Sequence, residues 1–508
     1  MVTQTYAGRV ADLARAHPSR AAIIFAPRVG AERTLSWADL HDRVTRAAGL
    51  LAEAGVGQAT CVVVGLPNSP DHLVATLAAW RLGACVLPLG SAWPAQDRER
   101  LLRTAGAYRP VIVVADWPAT NRPGAEPGPD RPAADCISSR DLAAAPDPSR
   151  VLPDVVPDPG VLIASGGSTG QPKLILNEGP HVGQLASGLL PGLWGQLGMT
   201  TGQVQLVAGP LYHGGPFSWS TRGLFHDHTI VLMERFDAAQ VVDLVERHEV
   251  NWMMLVPTMM SRIAALADVD RRDLSSLDAI WHAAAPCPPS VKRRWIELLG
   301  PHRVREAYGG SESWGNTVVD GTEWLRRPGT VGLPVEGWEV RIADAGRPVP
   351  PGVVGEITMR RCDGTPPPFR YLGVPSPGAT TEGFVGLGDL GWVDDDGYLY
   401  IADRRADLII SGGANIYPAE VEAILVEQPD IADAAVIGLP DDDLGKRVHA
   451  VIVAADPSRP PTPDDVLAHC RARLAPFKVP RSVEVVPDLH RNEFGKIRRA
   501  SLNEDRAQ

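Results

Sequence analysis

Between Cys61 and Asp116 the chain switches repeatedly between short apolar runs and helical periodicity, and this alternation constrains its fold more than any other feature. "CVVVGLP" from Cys61 has the continuous apolar character of a buried strand. "HLVATLAAWRLG" then predicts a helix stopping at Gly83, "CVLPL" a strand, "QDRERLLRTAG" a helix and "VIVVAD" a strand. A helix from Ser36 to Gly55 precedes them, with Leu40, Val44, Ala47, Ala48 and Leu51 on one face and Ser36 and Asp39 placed as a capping box. Strands that take turns with helices build a parallel, doubly wound sheet, because each helix carries the chain back across one face.

Residues 116–160 are rich in Pro, Ala and Asp and read as a surface excursion. The alternation then resumes through "VQLVA", "TIVLM", "NWMMLV", "LDAIW" and "RVREAY", with helical stretches such as Ala238 to His248 between them. A further helix is expected near His181 to Trp194. From about Gly329 short strands with Gly and Pro turns predict a small β-barrel. The end of the chain predicts an α+β unit: "PAEVEAILVEQ" and "PDDVLAHCRARL" as helices, "RVHAVIVAA" and "RSVEVV" as strands. The expected architecture is therefore α/β: residues 1–403 hold two doubly wound subdomains and the barrel, and residues 404–508 a small mobile α+β domain. A chain of 508 residues is long enough for several such cores.

A formal charge of -11 disfavours a nucleic-acid partner, whose phosphates it would repel. The six cysteines show no C-x-x-C spacing and read as reduced structural thiols. The start carries charges where a secretion signal needs an apolar run, and no segment approaches the length of a membrane span, so a cytoplasmic protein is expected. Only five residues are lysine among 49 Lys plus Arg (Lys173, Lys292, Lys446, Lys478 and Lys496), a bias that suggests a GC-rich bacterial source and makes each lysine conspicuous.

One of the five closes "LIASGGSTGQPK". Ser165, Gly166, Gly167, Ser168, Thr169 and Gly170 follow the strand "VLIA", at what would be the carboxyl edge of a parallel sheet, where successive N–H groups and hydroxyls can wrap a phosphate chain, with Lys173 adding a point charge. It is not a Walker A loop, whose lysine directly follows its last glycine. A plain Gly/Ser turn between two strands is the competing reading.

The loop, together with "YGGSE" (Tyr308 to Glu312), "GLGDLG" around Asp389, "DRRADLIISGGANIYPAEVE" (Asp403 to Glu422) and "NEFGKIRR" around Lys496, resembles in order the motifs of the adenylate-forming superfamily of acyl-CoA synthetases, peptide-synthetase adenylation domains and luciferases. The resemblance runs from about Ser36 to Arg499 and points to the acyl-CoA ligase branch. It implies an enzyme that joins a carboxylate to the α-phosphate of ATP and transfers the acyl group to CoA, releasing AMP and pyrophosphate. By the same resemblance, Lys496 is the catalytic lysine and Glu312 a catalytic carboxylate and Mg²⁺ ligand. Tyr308 stacks on adenine, Ser311 contacts phosphate, and Asp389 accepts from the ribose hydroxyls with Arg404 beside it.

For the acid, the resemblance points to His213 in "LYHGG", to Ala284 within Ala283 to Ala285, and to Gly309 and Gly310, with Trp314, Trp281 and Trp219 able to refill the space. Amino-acid-activating relatives place an Asp in this region to pair with the substrate amine and "LYHGGPFSW" has none, so the resemblance implies a hydrophobic acid without an α-amino group: aryl, fatty or polycyclic. Ser411, Gly412 and Gly413 would let pantetheine pass the backbone, and Phe477 and Arg481 lie where relatives contact the CoA nucleotide. Two departures concern the thioester step. The hinge position holds Ala406 where the family carries Asp or Lys, and Ala414 stands where Glu is frequent. They leave open a carrier protein or a separate partner enzyme as acceptor, just as the sequence leaves open a homodimer. An inactive nucleotide-binding relative and a luciferase-like oxygenase are the other readings.

Overall fold

Where the chain must reverse direction locally, its polar side chains fix the turn. Ser36 accepts from the Asp39 N–H at 3.1 Å while Asp39 accepts from the Ser36 N–H at 2.9 Å, the expected capping box, and the helix Trp37–Glu53 begins there. Its face of Leu40, Val44, Ala47, Ala48 and Leu51 is buried, as the periodicity predicts. The structure is a computed structural model that describes residues 3–91, 93–117, 136–166, 172–186, 190–441, 443–491, 497, 499, 502 and 506.

Both expected parallel sheets are present. Cys85–Pro88, Cys61–Gly65 and Val111–Ala115 form one, all strands parallel. The second runs in parallel through Val304–Gly309, Ala279–His282, Trp252–Leu255, Val204–Val207, Thr229–Met233 and Ala21–Ala26. Helices such as Ala238–His248 and Pro289–Leu299 cover it, so these strands are apolar on both faces.

Three expectations need correction. The strand Leu162–Gly166 begins beside Val86 in parallel, but it pairs antiparallel with Pro172–Asn177, Ser165 opposite Lys173. The strand that precedes the glycine-rich segment therefore belongs to an antiparallel sheet, joined to the parallel sheet through the bridge between Val161 and Val86. The hairpin is widened by Phe369–Leu372, antiparallel to Pro172–Asn177.

Secondly, a closed small barrel is not resolved among the described residues. The antiparallel strands Trp338–Asp344, Gly355–Arg361, Val385–Val393 and Leu399–Arg404 instead continue the large sheet, because Thr330–Pro334 pairs with Asn316–Asp320 on one side and Leu399–Arg404 on the other; the result is 14 strands. Thirdly, the described residues show no long helix near His181 to Trp194: Gly183–Gln184 pairs with Thr3–Gln4, and among the described residues of that stretch the helix is Leu193–Gln196. Pro191 and Gly192, the latter at φ +60°, start that turn.

The C-terminal α+β unit packs its own core, with Ile409, Val421, Leu425, Val436, Ile452 and Val466 buried together. Its strand Ile431–Asp441, not anticipated from the sequence, is the antiparallel partner of Gly445–Ala454.

Candidate active site

The hairpin lysine and the "YGGSE" carboxylate arrive at one point from opposite sides. Lys173 is the second residue of the strand Pro172–Asn177, and Glu312 follows the end of Val304–Gly309, in a loop where Ser313 takes φ +53°. Lys173 Nζ lies 3.4 Å from Glu312 Oε1, their side chains 18% and 10% exposed. Burial, only partly offset by Glu312, lowers the pKa of Lys173, so its ammonium is a poorly solvated charge.

A third residue, overlooked in the sequence, completes this contact. Tyr371 donates its O–H to Glu312 Oε1 at 2.8 Å, and its ring centroid lies 3.5 Å from Lys173 Nζ. Burial and then Glu312 push the phenol's pKa up, so it remains a donor. The "FRYLG" string around it carries only the signal of a strand; the register of Tyr371 opposite Ile175 is what sets the ring diagonally beside Lys173. Asn177, at the end of the strand that carries Lys173, donates to the Ser311 carbonyl at 3.2 Å and ties that strand to the loop of Glu312.

Tyr308 and Asp389 also meet. The phenol donates to Asp389 Oδ2 at 2.7 Å, and Arg404 Nε reaches Asp389 Oδ1 at 3.1 Å. The strands Val385–Val393 and Leu399–Arg404 pair with Asp389 directly opposite Arg404, so the register builds that contact. Burial and then Asp389 raise the pKa of Tyr308. Thus Lys173, Ser311, Glu312, Tyr308, Asp389 and Arg404, dispersed over more than 200 positions, form one polar tract. Ser165 is half-buried opposite Lys173. Gly167, Ser168, Thr169, Gly170 and Lys496 lie outside the described residues, as does anything beyond the backbone of Gly166.

The expected acyl side divides into two. His213 N-caps the helix Gly214–Phe225, whose first residue is so close to Ser311 that an added Cβ at Gly214 would lie 2.9 Å from Ser311 Oγ. Ala284 takes φ +77°, a left-handed conformation that a residue with a Cβ adopts only when its surroundings impose it. Beside these, Trp219 packs on Trp281 with centroids 4.5 Å apart and on Trp194 at 4.7 Å, together with Leu197 and Met199. Trp314, by contrast, is a core residue among Val331, Ile342, Ile357 and Met359, not part of this tryptophan wall, because its loop turns it toward the antiparallel strands. A Cβ on Gly310 would meet Glu312 Oε2 at 2.7 Å, and one on Gly309 would meet Asn316 Oδ1 at 2.2 Å; the room these glycines leave faces the polar tract and the strand hairpin.

Behind the tract, Lys292 is fully buried and pairs with Glu306, which stands two residues before Tyr308. Burial alone would raise the Glu306 pKa, but Lys292 and His282 reverse the direction and lower it.

In the C-terminal unit, Gly412 and Gly413 form the two-residue turn between Ile409–Ser411 and Ala414–Ile416, at φ +55° and +81°, which only such residues adopt readily. Phe477 is 52% exposed, and Arg481 is exposed with its N–H bound to the Val448 carbonyl. Ala406 is exposed in a turn closed from Asp407 N–H to Arg404 carbonyl, while Arg499 ties Asp407 to Glu422.

Glu312, a carboxylate beside Lys173, is an oxygen donor of the kind that fits Mg²⁺, an ion that uses one or two carboxylates and takes its other ligands from phosphate and water. No group of three or more His, Cys, Asp or Glu side chains that could hold a metal ion occurs among the described residues.

The family model for AMP-binding enzymes matches residues 10–365, and that for the AMP-binding enzyme C-terminal domain matches residues 420–496. A feruloyl-CoA synthase from Amycolatopsis sp is 34% identical over 469 residues, 91% of this chain and 92% of that protein. A fatty acid–acyl-carrier-protein ligase from Streptomyces coeruleorubidus is 29% identical over 485 residues, 93% of this chain and 92% of that protein. The solved structure of o-succinylbenzoate-CoA synthetase from Bacillus subtilis, in complex with its acyl-adenylate intermediate, matches with a TM-score of 0.81 and 26% identity, covering 99% of this chain and 98% of that one.

Proposed function

The chain belongs to the AMP-binding enzyme family, and from that premise we propose that it is an ATP-dependent acid–CoA ligase that activates a hydrophobic, non-amino carboxylic acid. The observation that carries this is the convergence of Lys173 and Glu312 at 3.4 Å, next to the Tyr308–Asp389 pair. In the first step a carboxylate oxygen bonds to the α-phosphorus of ATP and the bond to the bridging oxygen breaks, releasing pyrophosphate. Two anions must approach one another, so the residues that matter are those that offset phosphate charge. Lys173 does so from the hairpin, and we assign Lys496 to the reacting carboxylate and α-phosphate. Glu312 would hold Mg²⁺, which supplies further positive charge to the phosphates when bound. Asp389 with Arg404 would hold the ribose.

In the second step the CoA sulfur bonds to the acyl carbon, the bond to the AMP oxygen breaks, and the thiol proton is lost to solvent. AMP is a good leaving group, so the glycine turn at Gly412 and Gly413 has only to guide the thiol. The tryptophan wall around Trp219 and Trp281 supports a hydrophobic acid, and aryl acids head the panel to be tried. Residues 404–508 would turn as a unit about Ala406 between the steps. Free cysteines throughout and the lack, among the described residues, of any helix able to cross a membrane are compatible with a cytoplasmic enzyme.

A second reading is favoured by Ala406 and Ala414, which lack the polar side chains usual at those positions, and by the acyl-carrier-protein ligase among the relatives. On that reading the acyl-adenylate passes to a carrier protein or a partner enzyme. Mass spectrometry of products from ATP, Mg²⁺ and aryl, fatty and polycyclic acids, with and without CoA, separates them. Acyl-CoA formed only with CoA supports the ligase; acyl-AMP without thioester supports the second reading; and neither product with any acid would sink both.

A further inference from the structure

We propose that Tyr371 is a positioning residue that holds both charges of the phosphate site in place, Glu312 through its hydroxyl and Lys173 through its ring. The inference rests on the reading of this tract as an ATP site. In the free protein Lys173 and Glu312 are each other's partner at 3.4 Å, so each must give up that partner when a phosphate and its cation arrive. Long side chains released from an ion pair regain rotamer freedom, and binding must then order them again. Tyr371 limits that loss because its two contacts use neither charge's new bond. Its O–H occupies one acceptor site on Glu312 Oε1 at 2.8 Å, leaving Oε2 and a second lone pair for a cation. Its ring lies 3.5 Å from Lys173 Nζ, a cation–π contact that leaves the ammonium's N–H bonds free for phosphate.

Tyr371 is itself held from three directions. Its backbone is paired in the strand Phe369–Leu372, its N–H donates to Ser376 Oγ at 2.8 Å, and the Phe369 ring lies 5.6 Å away. The residue is therefore a fixed point between the two charged side chains. The two contacts make separable contributions. The hydroxyl acts through Glu312 and so affects only what the cation adds; the ring acts through Lys173 and so affects the nucleotide even without a cation.

Calorimetric titration of the full chain with ATP, once with EDTA and once with Mg²⁺, tests this alongside circular dichroism of each variant. Tyr371→Phe keeps the ring: its affinity for metal-free ATP is expected to match the wild type, while the enhancement given by Mg²⁺ falls about tenfold, as for loss of a hydrogen bond to a charged group. Tyr371→Leu removes both and is expected to weaken metal-free ATP about fivefold as well. If Tyr371→Phe weakens metal-free and Mg²⁺-bound ATP equally, or leaves both unchanged, the proposal is wrong; this holds even if Tyr371→Leu does not fold. A wild-type protein that binds no ATP under either condition overturns instead the nucleotide reading on which the proposal stands.

Discussion

The phenol of Tyr308 donates to Asp389 at 2.7 Å, so the carboxylate expected to hold a ribose is already engaged in the free protein, with Arg404 on its other oxygen. A ribose hydroxyl must share this carboxylate or displace the phenol. Asp389→Ala is expected to weaken ATP binding about 10- to 100-fold, the range for hydrogen bonds to a charged acceptor, and Tyr308→Phe by less, since it frees the acceptor it vacates. Equilibrium titration with ATP measures both, and equal losses would show that the phenol itself contacts the nucleotide.

Gly310 is placed so that a single added carbon reaches Glu312 Oε2 at 2.7 Å. Gly310→Ala should therefore displace the carboxylate and raise the Mg²⁺ concentration needed for half-maximal pyrophosphate exchange, with little change in the acids accepted. A changed acid profile at an unchanged Mg²⁺ requirement would place Gly310 in the acyl pocket instead.

Lys292 and Glu306 are both buried, and removing the lysine leaves the carboxylate in the core without its ammonium, facing His282 at 4.0 Å. Lys292→Met is expected to cost about 3–5 kcal/mol in urea unfolding, and the double variant Lys292→Met with Glu306→Gln to recover much of it. If the double variant is no better than the single, the lysine stabilises through its packing on Trp324, 4.9 Å from that ring centroid.

Five buried histidines make the fold sensitive to acid. Burial lowers the pKa of His72, His228 and His282 to about 4 and of His181 and His226 to about 3. In the unfolded chain each titrates near its ordinary value, about 6.5. As pH falls below that value the unfolded state takes up protons first, so stability is lost between about pH 6.5 and the folded values. The loss is about 1 kcal/mol per histidine from about pH 7 to about pH 5.5, on the order of 5 kcal/mol for all five. Urea midpoints at those two pH values check this; an equal or higher midpoint in acid would contradict it.

Lys496→Ala is expected to slow adenylation by ~10²–10³ while leaving thioester formation from supplied acyl-adenylate nearly intact. Pyrophosphate exchange and single-turnover transfer to CoA report the two steps separately, and equal losses in both would remove the lysine from its assigned step.

The helix at Trp37–Glu53 and the parallel strands were legible because each is set by local chemistry: a capping box, a hydrophobic stripe, or an apolar run bounded by Gly and Pro. The lysine, the carboxylates and the tyrosine of the motifs stood out for the same reason, as unusual residues in glycine-rich turns. Pairing is not local. Which strand Leu162–Gly166 chose, how Thr330–Pro334 joined the antiparallel strands to the large sheet, and why Trp314 left the tryptophan wall for another core were decided by backbone hydrogen bonds and burial between distant segments. Tyr371 is the clearest case. Its own segment reads as an ordinary strand, and only the register against Pro172–Asn177, with the loop after Gly309 folded over it, brings it to both Lys173 and Glu312.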